Sequence, residues 1–121
     1  MTPQNLPSDV ESLKKLSVVE LVAIQKHFVE AIGNLDLSDQ QTGHCRARLE
    51  ELDTLISRLT ALKFESRTVE FKDALKIKDA TARIKESTEQ MEKAAKTVGN
   101  LESILKIVDQ GLKMGAMFFC I

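Results

Sequence analysis

The sequence predicts an all-α protein, either an elongated antiparallel helical hairpin or a three- to four-helix bundle with coiled-coil character. Three observations predict it. Neither glycine nor proline occurs between Gly43 and Gly99, a stretch rich in the helix-favouring residues Leu, Lys, Glu, Ala and Arg. Leu52, Leu55, Leu59 and Leu62 alternate by three and four, the spacing of a seam between helices. Residues 8–11, 17–20 and 38–41 each place a serine three positions before a glutamate or glutamine, the spacing of a capping box.

The totals bound what these helices can build. A chain of 121 residues is one domain with room for a single core. With 43% hydrophobic and 29% charged residues, it has the composition of a folded protein rather than a disordered one. Its 17 basic and 18 acidic residues leave a net charge of −1, so no strong field recruits nucleic acid. Cys45 and Cys120 do not form a disulfide framework, and two free thiols point to a reducing compartment, the cytoplasm.

Residues 1–7 read as a disordered lead kept extended by Pro3 and Pro7, and 8–121 as a single helical domain. A short leading turn at about 8–15 precedes a helix at 17–32, which Gly33 and Asn34 terminate. On a 100° wheel Val18, Leu21, Val22, Ile24, Phe28, Val29 and Ile32 span an arc of roughly 160°. So wide an apolar face needs two neighbours. A second helix at about 38–64 carries the seam Cys45, Leu49, Leu52, Leu55, Ile56, Leu59 and Leu62. Gly43 weakens its first turns.

Ser66 and Thr68 offer caps for a reversal near 65–68. A third helix at 69–114 then carries Ile77, Thr81, Ile84, Thr88, Met91, Ala95 and Val98 at heptad spacing, with Lys85, Glu86, Glu89, Glu92, Lys93 and Lys96 facing solvent. Gly99-Asn100 is its ambiguous step. A break there makes a four-helix bundle. A continuous helix, at a cost of about 1 kcal/mol for the glycine, would be roughly 65 Å long against about 40 Å for the second helix. Its overhanging apolar face would then need a second copy, and the elongated, self-associating hairpin is the favoured arrangement. The interface on this reading consists of Leu101, Ile104, Leu105, Val108, Leu112, Met117, Phe118 and Phe119.

Chemistry-bearing residues are sparse. His27 projects to the polar side of the first helix and His44 adjoins Cys45, with none of the close-spaced Cys or His pairs that hold zinc. Cys45 lies at the edge of the leucine seam, where a thiol is a small core residue. Asp36, Asp39, Glu50, Glu51 and Asp53 read as caps and solvated surface, because acid–base work needs carboxyl groups held in unlike environments. No phosphate-binding glycine loop occurs. No catalytic residue, cofactor or metal is therefore expected.

Near the C-terminus, Gly111 and Gly115 have the small-residue spacing of membrane-helix contacts, which counts only inside an apolar twenty-residue segment and so carries no weight here. Ala95, Gly99 and Ser103 share the spacing and suit close packing between soluble helices. The tail is too short to span a bilayer, and Cys120 is not fourth from the end, where a prenylation signal places it. These readings converge on a non-enzymatic helical interaction module. Its partner is a second copy or another helical protein. The alternative is a peripheral membrane protein with 101–121 as an interfacial segment, which the absence of Trp and Tyr anchors disfavours.

Overall fold

In a computed structural model, which describes residues 9–64 and 69–120, the chain forms four helices: α1 (Val10–Gly33), α2 (Asp39–Ala61), α3 (Phe71–Ala95) and α4 (Leu101–Ala116). A 3-10 turn, Met117–Cys120, follows α4. The all-α expectation holds, and of its two arrangements the four-helix bundle is the one that forms.

Helices α1, α2 and α4 each start at a residue whose side chain caps them, whereas α3 starts after Glu70 with no side-chain cap bond. Asp9 caps α1, its carboxylate accepting from the Ser12 amide at 2.8 Å. Hydrogen bonds from Ser12, side chain and backbone, hold the Asp9 carboxyl below the ordinary aspartate range. This stabilisation is complete above that range and is lost as pH falls through the lowered folded-state value. The predicted boundary at Ser17 does not exist: the turn at 8–15 and the helix at 17–32 are one helix. Ser17 is buried within it and donates its hydroxyl to Thr81 Oγ1 at 3.0 Å. With a tertiary partner for its side chain, Ser17 need not compete for the backbone.

Ser38 and Gln41 form the reciprocal box expected at the start of α2. Leu62 then adopts an extended conformation and ends α2 short of the expected residue 64. The reversal expected near 65–68 falls outside the described residues.

The single helix expected at 69–114 is broken. Helix α3 stops at Ala95, and Asn100 caps α4 by accepting from the Ser103 amide at 2.8 Å. The heptad stripe accordingly holds from Ile77 to Met91 and fails at Val98, which lies in the link and is 81% exposed. A Cβ on Gly99 would meet nothing within 4 Å, so the close approach suggested by Ala95, Gly99 and Ser103 is not made there.

Helix directions follow from their cross-links. Ser17 meets Thr81, Thr88 donates to the Glu20 carbonyl, and Asn34 donates to the Ala95 carbonyl, so α1 and α3 run parallel. Arg48 pairs with Asp109 and Arg58 lies over Phe119, so α2 and α4 also run parallel. Helix α1 packs on all three others, whereas α2 and α3 occupy opposite corners. Helix α4 reaches α1 across the other diagonal through two buried glycines. A Cβ on Gly111 would lie 3.1 Å from Ile24 Cδ1, and one on Gly115 would lie 2.5 Å from Leu55 Cδ2. The core is one cluster drawn from all four helices together with Phe64 and Phe118.

A candidate interaction face

The residues predicted to form an interface mostly face inward. Ile104, Val108 and Phe118 are fully buried in the chain's own core. Leu101, Leu105, Leu112, Met117 and Phe119 are partly buried against it. Phe118 meets Phe64 with ring centroids 6.4 Å apart at 54°, and the Arg58 guanidinium sits 4.6 Å above the Phe119 ring. The tail thus closes the end of the bundle. No described helix is long and apolar enough to cross a membrane.

The groups with chemical potential are dispersed. Cys45 is buried, and burial pushes its thiol up, away from the reactive thiolate. Cys120 is exposed. His27 is partly buried, and its Nδ1 lies 2.8 Å from Glu30 Oε1. His44 is exposed at the start of α2. Among the described residues no three of His, Cys, Asp and Glu come together to hold a metal. Asp53 accepts from Gln25 at 2.6 Å, while Glu51 pairs with Arg48 at 3.0 Å. These are contacts of a solvated surface, each contributing about 1 kcal/mol or less.

One buried charge escaped the sequence reading. Lys14 is 3% exposed, and its ammonium donates to the Leu62 carbonyl at 2.6 Å. It also pairs with Glu11 at 3.0 Å, and Glu11 in turn accepts from the Phe64 amide at 3.3 Å. The cation therefore satisfies a carbonyl at the end of α2, where the local charge is negative. A lysine one turn inside an amphipathic helix looks solvated in sequence. Only the approach of α2 reveals its partner.

Apolar surface remains outward on α3, at Phe71 and Leu75, and on α1. Of its wide face, Leu21, Ile24 and Phe28 are buried, but Val22 and Val29 stay 46% and 50% exposed, and Val19 is 62% exposed. Val22 and Val29 border an open groove of about 620 Å³ between α1 and α2, with Leu49 on the facing helix and Gln25, Lys26, Glu30 and Asp53 around it. At the other end of the same helix pair, a smaller hollow of about 210 Å³ is lined by Glu11, Lys14, Lys15, Val18, Thr60 and Lys63. The arrangement offers an apolar furrow with charged rims and no reactive group, which suits side-chain packing rather than bond making. Comparison with known proteins adds nothing to this geometry: no family model, curated protein or solved structure matches the chain.

Proposed function

We propose that this chain is a non-enzymatic helical interaction module that associates with itself and works in the cytoplasm. The observation that carries the reading is the apolar surface of α1, where Val22 and Val29 remain solvent-exposed beside the groove shared with α2 and Val19 is exposed one turn before them. Scattered exposed apolar residues are ordinary, but an aligned set beside a groove marks a surface built to meet another. The exposed thiol of Cys120 fits a reducing compartment.

This reading moves the contact from the third helix and tail, where the sequence placed it, to the first helix. Sedimentation velocity of the full chain across a concentration series tests it. A dimer or larger species is the expected outcome, and a strict monomer at every concentration counts against it.

A further inference from the structure

Lys15, Val19, Val22, Lys26 and Val29 follow one another along α1 at four-three-four-three spacing, and all five are exposed. This heptad spacing is the one by which a helix meets another along its length. Ordinarily it marks the buried seam of a helix. Here the core takes a different set, Leu13, Ser17, Leu21, Ile24, Phe28 and Ala31, and the valine stripe is a second seam on the outer side.

The charges bordering that seam are divided by end. Lys15 and Lys63, beside the Glu11–Lys14 ion pair, stand where α1 begins and α2 has finished, while Glu30, Glu50 and Asp53 stand towards the opposite end. Lys26 lies in the acidic group, on the same groove as Glu30 and Asp53, and Arg46 stands a turn beyond Glu50, so the three carboxylates of that end outnumber its cations by one. A surface basic at one end and acidic at the other is complementary to itself when turned end for end.

We propose that the valine stripe is a self-docking surface, covered in solution by α1 of a second copy running antiparallel about a twofold axis beside Val22. The inference rests on the self-association reading and deepens it by naming the surface and its occupant. In this arrangement, residues whose numbers sum to about 45 stand opposite one another across the axis. Val22 meets Val22 of the copy, Lys15 meets Glu30, and the aliphatic stem of Lys26 lies along Val19. The copy's helix seats against Val22, Val29 and Leu49, the apolar part of the groove. A parallel pairing would instead set Lys15 against Lys15 and Glu30 against Glu30.

Sedimentation equilibrium of the full chain and its variants, with circular dichroism on each, tests the assignment. Val22→Glu places two carboxylates at the axis and is expected to weaken the dimer at least tenfold, to about the extent of a lost central contact. Val19→Lys is a second variant, at a more exposed position, that sets its cation beside Lys26 of the copy and guards against a folding defect in the first. Lys15→Glu and Glu30→Lys are each expected to weaken association about fivefold, since each sets two like-charged pairs across the twofold. The double variant Lys15→Glu/Glu30→Lys is expected to restore wild-type affinity, because both pairs reform with their signs exchanged. A dimer indifferent to Val22→Glu and Val19→Lys, or a double variant no tighter than the single ones, overturns this surface and leaves self-association standing. A wild-type chain that stays monomeric, or that binds only an unrelated helical protein, overturns both.

Discussion

Gly43, Gly111 and Gly115 all lie in helices, yet a methyl group at each meets different surroundings. Around Gly43 a Cβ would find open space, so Gly43→Ala is expected to raise stability by about 0.5–1 kcal/mol through helix propensity alone. At Gly111 the neighbour is the flexible tip of Ile24, and the same propensity gain offsets a small adjustment. At Gly115 the added atom would fall 2.5 Å from Leu55 Cδ2 and 3.4 Å from Leu21 Cδ1. Gly115→Ala should therefore lose about 1 kcal/mol net. Urea unfolding of the three variants checks the predicted order.

Lys14→Ala should cost about 2–3 kcal/mol in the same assay, because it leaves Glu11 and the end of α2 without their shared cation. The two thiols provide a simpler readout. Mass spectrometry after brief treatment with a thiol reagent should find Cys120 modified in the native protein, and Cys45 only after unfolding.

At the scale of the element, the link between α3 and α4 decides the architecture. A glycine alone would not end a helix, since its cost is only about 1 kcal/mol. Asn100 adds a side chain that satisfies an orphan amide of α4, and the apolar face of α4 then supplies burial that a solvent-exposed overhang could not. Asn100→Ala should lower stability by about 1 kcal/mol and speed hydrogen exchange at the Ser103 amide. Exchange at Ser103 that matches wild type would show that the cap does not hold this end.

Much of each element was legible beforehand. The leucine seam, the box at Ser38 and the stop at Gly33 are local signals, read within three or four residues. The apparent box at 17–20 was misread for the complementary reason. Ser17 and Glu20 satisfy the spacing, but the choice between cap and helix interior was made by Thr81, far away in sequence.

Across the whole molecule, the C-terminal aromatics show how burial is apportioned. Phe118 is 0% exposed and packs on Phe64, whereas Phe119 is partly buried beneath Arg58. Phe118→Ala should therefore cost about 3–5 kcal/mol and loosen the bundle, measurable as a lower urea midpoint and lost near-ultraviolet signal. Sequence showed that this tail wanted cover, from another copy or from the chain's own bundle, and the bundle buries Phe118.

By itself, the sequence determined the helical content, most helix ends and the apolar stripe each helix carries, because periodicity and caps act over one or two turns. Only the tertiary structure decided which stripe each one meets. It brought Lys14 to the end of α2, brought α4 against α1 through Gly111 and Gly115, and left the valines of α1 facing solvent. The physical reason is that apolar burial is non-directional. A stripe specifies that it must be covered, while the competition among all four helices for one core specifies by what.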